Sequence, residues 1–420
     1  MGDKLEKVKQ ILSTYNQEHL LKFYKELDMY HKELLLNQIL NINFEQIINL
    51  YQNSMKNEDI IPGELSPLKH FEKNRYSQKE VSYYTKVGEN FIKNNGLAVV
   101  TLAGGQGTRL GYRGPKGTYV IKFDNNFGSK SFFEIICEDL KRANTTYNVT
   151  LPWYIMTSEE NDLPTKTFFD IHNYWDYPKE KIKFFKQGKL PLITVDGKLF
   201  LQEPYLVKEA SNGNGNVFAS MKKHGIIEEL IAHNISLVYF GGIDNILQKN
   251  VDPFFIGLAI DGNYQVASKS IFKELAMEKT AVYCRKFGKP SILDYDEITL
   301  ELSNRKDENG LYLYREANIL SHLMTTDAIQ KVSNISLKYH RAYKKNAFVN
   351  DEGVKQIPDS PNSFKFENFI FDAFSYFDDM LLLRVNTDEE FAPVKSFNGV
   401  YNLDKAKEKY EKQWSFRNNS

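Results

Sequence analysis

The 420-residue chain is poor in cysteine: Cys137 and Cys284 stand far apart, outside any CxxC or His-pair pattern. That excludes a disulfide framework, argues against a structural zinc site and fits a reducing, cytoplasmic setting. Net charge is also missing, because 54 Lys and Arg balance 54 Asp and Glu. No basic field remains to hold nucleic acid non-specifically, so any anion must be gripped locally. No apolar run reaches the roughly 18 residues of a membrane span, and residues 1–18 are charged rather than signal-like. No fixed-period repeat, and in particular no hexapeptide array, announces a solenoid.

What is present suffices for a sizeable core: 42% of the residues are hydrophobic and 14% aromatic. From Leu5 to about Asn53, apolar residues recur at three- and four-residue spacing, as in Leu20, Leu21, Phe23, Tyr24, Leu27 and then Leu34, Leu35, Leu36, Ile39, Leu40. This predicts a helical N-terminal layer. Turn signals at Pro62-Gly63 and Ser66-Pro67 follow, then a charged helical stretch to Asn95. From Leu97 the pattern changes to short apolar runs, Leu97 to Ala103, Trp153 to Met156, Ile182 to Phe185 and Ser236 to Phe240, which read as strands. Helical segments alternate with them at Ser131 to Arg142, Pro164 to Tyr174 and Val217 to His224. The alternation predicts an α/β, Rossmann-like domain with a mostly parallel mixed sheet and ligands outside the carboxyl ends of its strands. The expected partition is a helical region 1–95, one large domain 96–396 and a short charged tail 397–420.

One loop carries the chemistry. Leu102, Ala103, Gly104, Gly105, Gln106, Gly107, Thr108, Arg109, Leu110 and Gly111 follow directly on a predicted strand. Bare backbone amides at that place can close around phosphate oxygens. Arg109 adds a bidentate fork, and Lys116 in Gly114-Pro115-Lys116-Gly117 adds a point charge. The spacing is neither a Walker loop, which needs Gly-Lys-Ser or Gly-Lys-Thr, nor a dinucleotide fingerprint, since Gly107 to Gly111 is one residue too long. The plain alternative, a tight turn with a solvated Arg, accounts poorly for so many glycines and cations together. Asp244, after the apolar run Ile235 to Phe240 and Gly241-Gly242, should stand at a strand's carboxyl end, where it either caps a helix or holds a hard cation.

These motifs resemble the UDP-sugar pyrophosphorylases, the family of UDP-N-acetylhexosamine and UTP–glucose-1-phosphate uridylyltransferases. The likeness continues through Trp153-Tyr154-Ile155-Met156-Thr157-Ser158, Phe184-Phe185-Lys186-Gln187-Gly188, Asn212-Gly213-Asn214-Gly215, Asp244-Asn245-Ile246-Leu247, Phe369-Ile370-Phe371-Asp372 and Glu390-Phe391-Ala392-Pro393-Val394-Lys395. It covers roughly residues 80 to 396. The resemblance implies a nucleotidyltransferase that joins UTP to a sugar 1-phosphate and releases pyrophosphate, with Mg²⁺ held by Asp244. It implies that residues 102–108, Gln187 and Gly213 bind the nucleotide, and that Arg109, Lys116, Lys365 and Lys395 hold phosphates. Asn214, Asp294, Asn318, Phe369 and Phe371 would line the sugar.

The chain departs from the family on the sugar side. Arg315-Glu316-Ala317 stands where Asn-Ala-Gly is usual, and Asp294 replaces a Glu. N-acetylglucosamine 1-phosphate and glucose 1-phosphate both remain open as substrates. Only 25 residues follow Lys395, as in the compact bacterial members. Two other readings stay in play: a UDP-sugar-dependent glycosyltransferase, which has no β,γ-pyrophosphate to grip and so no use for Arg109 and Lys116, and a non-catalytic UDP-sugar-binding homologue.

Overall fold

A computed structural model describes residues 2–55, 65–124, 127–273, 280–294 and 297–418. The turn signal at Pro62-Gly63 lies outside them. The fold is α/β, built on one mixed, mostly parallel sheet of eleven strands. Its central path is numbered here in chain order: β1 Phe71–Glu72, β2 Leu97–Leu102, β3 Trp153–Thr157, β4 Ile182–Lys186, β5 Leu237–Gly242, β6 Val266–Phe272, β7 Glu316–Thr325 and β8 Leu381–Arg384. The spatial order is β1-β8-β6-β7-β5-β2-β3-β4. All neighbours are parallel except β7, which runs antiparallel to both β5 and β6. β2, β3 and β5 are buried along their whole length, which is why they read as continuous apolar runs rather than alternating ones.

The helices expected between the strands form at Phe132–Tyr147, Asp162–Ile171 and Val217–Lys223. Phe132–Tyr147 begins at a capping box, Ser131 with Glu134. Helix Gln78–Lys93 also starts from such a box, Ser77 with Glu80, and packs on helix Pro253–Asp261. Glycine makes that crossing possible: a Cβ on Gly88 would stand 1.9 Å from the Pro253 carbonyl oxygen, and one on Gly257 1.8 Å from that of Tyr84.

The contacts divide the chain along lines other than the linear partition expected. One unit is Met1–Asp59, Gln187–Asn216 and Leu337–Phe369, and the other is Ile60–Lys186, Val217–Ser336 and Ile370–Ser420. In the smaller unit, helices Gly2–Thr14, Met29–Asn41 and Phe44–Ser54 form as the periodicity requires, but they have no core of their own. Their apolar faces (Val8, Leu12, Leu36, Ile47) bury against Ile193, Leu199, Phe364 and Phe366 from two later excursions of the chain. The larger unit holds the sheet and helix Gln78–Lys93. It also takes the charged tail as helix Leu403–Asn418, whose Tyr410 joins the core by stacking on Phe123. Among the described residues no helix is long and apolar enough to cross a membrane.

Candidate functional site

The glycine loop leaves the carboxyl end of β2 and folds back on itself. Gly107 N donates to the Gly114 carbonyl (2.9 Å) and Lys116 N to that of Gly105 (3.0 Å), pinning Lys116 against the loop. Asn161, nine-tenths or more buried, donates through Nδ2 to the Ala103 carbonyl at 2.9 Å and accepts from Ser158 N at 2.6 Å. With these carbonyls turned inward, the amides of Gly104, Gly105 and Gln106 are left over: among the described residues they donate to no backbone carbonyl. A Cβ on Gly105 would meet nothing within 4 Å. Neither packing nor a positive φ therefore requires glycine there, and open space lies above its amide. Gly111, by contrast, closes the loop at φ +59°, where glycine is favoured. Arg109 is exposed and makes no ion pair among the described residues.

Three charges meet beside this loop. Lys116 Nζ lies 3.3 Å from Asp244 Oδ2, with side chains 14% and 27% exposed. Burial pushes the Asp244 carboxyl up, but Lys116 and Lys395 outweigh it and hold the group below the usual carboxylate range. The turn carrying Lys116 is pressed onto helix Phe132–Tyr147, since a Cβ on Gly117 would strike the Phe133 ring at 2.2 Å. Asp244 and Lys395 come from distant parts of the chain and are stapled together by Asn245. Its Nδ2 donates to the Glu390 carbonyl (2.7 Å), its Oδ1 accepts from Ala392 N (2.8 Å), and Val394 N donates to the Asp244 carbonyl (2.9 Å). Behind the staple, Lys269 Nζ is buried and lies 2.6 Å from both Asp252 and Glu390. Burial alone would lower the Lys269 ammonium, and the two carboxylates reverse this and raise it.

The same unit holds Asn318, Asp294 and Phe371. Asn318 Oδ1 accepts from Tyr283 Oη (3.1 Å) and Leu320 N (3.0 Å), which fills its lone pairs and leaves its amide nitrogen as the end able to donate. Asp294 follows directly on strand Lys289–Leu293, and Phe371 is buried in the turn Ile370–Tyr376. The departures next to Asn318 are tied into the sheet. Arg315 pairs with Asp307 at 2.9 Å, and Glu316 accepts from Ser270 Oγ (2.7 Å) and is gripped by Arg384.

The smaller unit gathers Gln187, Gly213, Asn214, Lys365 and Phe369. Gly213 has φ +97°, and a Cβ there would stand 2.1 Å from the Asn368 carbonyl oxygen, so only glycine fits. The Asn212–Gly215 loop is clamped on residue 368 by Asn368 N to the Asn212 carbonyl (2.9 Å) and Gly215 N to the Asn368 carbonyl (3.0 Å). Two buried acceptors at this clamp, Asn212 Oδ1 and Asn368 Oδ1, have no partner within the described protein. Gln187 Nε2 donates to Ser211 Oγ at 2.8 Å. Lys365 is paired with Glu367 at 2.7 Å.

Sequence reasoning overlooked Asn161, Asn245, Asn368 and the Lys269 triad. The asparagines carry no signal, because the residue type also suits turns and caps. Lys269 could have been found, as a charge in the middle of the apolar strand Val266–Phe272.

A mostly parallel sheet whose β2 ends in a cradle of free amides, with cations and one carboxylate beside it, defines an α/β protein of the nucleotide-binding class. Comparison with known proteins narrows this. The profile described as UTP–glucose-1-phosphate uridylyltransferase matches residues 42–413. The UDP-N-acetylglucosamine pyrophosphorylase of Saccharomyces cerevisiae is 34% identical, over 94% of this chain and 86% of its own. UDP-N-acetylglucosamine diphosphorylase 2 of Arabidopsis thaliana is 32% identical, over 92% and 79%. The crystal structure of the Trypanosoma brucei uridine diphosphate N-acetylglucosamine pyrophosphorylase, in complex with inhibitor, superposes with TM-score 0.83 at 26% identity, over 97% and 84% of the two chains. These three relatives are eukaryotic proteins. The chain belongs to the UTP–glucose-1-phosphate uridylyltransferase family, and is a nucleotidyltransferase of the UDP-sugar pyrophosphorylase type.

Proposed function

We propose that the protein makes UDP-N-acetylglucosamine or UDP-glucose from UTP and the corresponding sugar 1-phosphate. The observation that carries the reading is the set of free amides at Gly104, Gly105 and Gln106, next to Lys116 and Asp244. A sugar 1-phosphate oxygen attacks the α-phosphorus of UTP, the bond from that phosphorus to the β-phosphate bridging oxygen breaks, and pyrophosphate leaves. Such a displacement requires positioning and charge neutralisation, and no protein nucleophile.

In this reading the loop 102–108 cradles the triphosphate and Arg109 and Lys116 take the charge growing on pyrophosphate. Lys395 and Lys365 hold the incoming phosphate. Gln187 and Gly213 read the uracil edge. Asn214, Asp294, Asn318, Phe369 and Phe371 line the sugar. Asp244 is the carboxylate for Mg²⁺: among the described residues no cluster of three or more His, Cys, Asp or Glu offers a full cage, and Mg²⁺ fits a single carboxylate completed by substrate phosphates and water. When bound, the ion supplies positive charge to phosphate oxygens. Cys137 and Cys284, both buried and unpaired, support a cytoplasmic setting.

The test is pyrophosphate release from UTP with a panel of sugar 1-phosphates, together with exchange of labelled pyrophosphate into UTP. Exchange dependent on a sugar 1-phosphate or UDP-sugar is expected. Glycosyl transfer without exchange would favour the glycosyltransferase, and tight UDP-sugar binding without either would mark a non-catalytic homologue.

A further inference from the structure

Leu320 has a backbone that leucine rarely adopts. It lies within β7 at φ +55°, a left-handed conformation in which a side chain crowds the backbone and which glycine would occupy freely. The ladder shows why it is there. β6 and β7 pair at Ser268 with His322 and again at Ser270 with Asn318, so β7 spends four steps where β6 spends two, and Leu320 sits in the surplus. The pairing of β5 with β7 stops at Gly241 opposite Ser321. Beyond that point the Leu320 side chain swings across Gly242. A Cβ on Gly242 would meet Leu320 Cδ2 at 2.7 Å and Asp244 Oδ1 at 3.3 Å. The empty glycine and the leucine are matched, and the leucine is part-buried rather than core. Its own N–H donates to the Asn318 side-chain oxygen Oδ1. Strain of this kind persists where neighbours over-determine it, and clusters at functional sites.

We infer that Leu320 is a positioning and specificity residue of the sugar 1-phosphate side. It walls the flank of Asp244 with methyl groups and, through its amide, aims the Asn318 nitrogen at the sugar; this rests on the reaction proposed above. The test compares wild type with Leu320→Gly, which keeps the left-handed turn without strain, and Leu320→Asn, whose residue type also tolerates that turn. With either variant, kcat/KM for the sugar 1-phosphate should fall about tenfold or more, the span that loss of a few methylenes from a pocket produces. The ratio between an N-acetylated and an unacetylated sugar 1-phosphate should move toward one, while KM for UTP stays within about twofold, a split that general loosening does not give. Folded variants with wild-type sugar 1-phosphate KM and unchanged ratio overturn the role of Leu320 and leave the reaction standing. A wild-type protein that releases no pyrophosphate with any sugar 1-phosphate overturns both.

Discussion

Lys116→Met removes one charge and keeps most of the stem that lies near the Phe132 ring, where Nζ is 6.0 Å from the centroid. At 3.3 Å from Asp244, the pair has a gross attraction of about 5 kcal/mol at an effective dielectric of 20. Little of that should appear as lost stability, because Lys395 remains as a second counter-charge to Asp244, and partly exposed pairs contribute only ~1 kcal/mol net. The loss should fall on the reaction instead. Removing one preorganised group from developing phosphate charge costs about 3–4 kcal/mol, or roughly 10²–10³ in kcat. The acid side should move as well. Burial favours the protonated Asp244 and Lys116 opposes this, so without Lys116 the carboxyl of the metal-free protein titrates at higher pH, and the acid loss of Mg²⁺-dependent turnover shifts upward. Steady-state pyrophosphate release across pH, paired with a thermal melt, measures all three. A folded Lys116→Met protein turning over within about threefold of wild type would refute the assignment, since the expected loss is roughly a hundredfold or more.

Four further outcomes are expected. Gly105→Ala should melt no lower than wild type, because its methyl meets nothing within 4 Å, yet it should raise KM for UTP about tenfold by standing where a phosphate must approach, read by melting and initial rates. Lys269→Met leaves Asp252 and Glu390 facing each other in the interior and should cost about 3–5 kcal/mol in a denaturant titration. His322 is fully buried, and burial pushes its ring down to about 3 from 6.5. The unfolded chain then binds a proton below ~6.5 that the folded chain refuses until ~3, so stability should fall by about 1.4 kcal/mol per pH unit across that window. A His322→Gln protein should lack that slope, and an unchanged slope would remove His322 as its source. Excess EDTA should stop turnover and added Mg²⁺ restore it; persistent activity would contradict the ion assigned to Asp244.

Much of the larger unit was legible in the residues because its signals are local. Leu97–Leu102 and Trp153–Thr157 are runs too short and too apolar for anything but buried strands, and each is one, while Ile182–Lys186 is a strand too but a part-buried one at the end of the central path. The loop after Leu102 announced itself by glycines that a strand-to-helix turn alone does not need. The smaller unit was not legible, although its helices were. A helix periodicity states that one face must be covered, and Ile193 and Phe364, which cover these faces, are some 150 and 320 residues further along the chain, an interval no spacing rule spans.

From composition, periodicity and motif the chain determined its class, its strands and the place of the glycine-rich loop, since each depends on neighbours within a few residues. Tertiary structure alone decided that Asp244 and Lys395 share a staple on Asn245, that Lys269 is buried between two carboxylates, and that Leu320 is forced left-handed over Gly242. Charge pairing and close packing act through space and are indifferent to sequence distance.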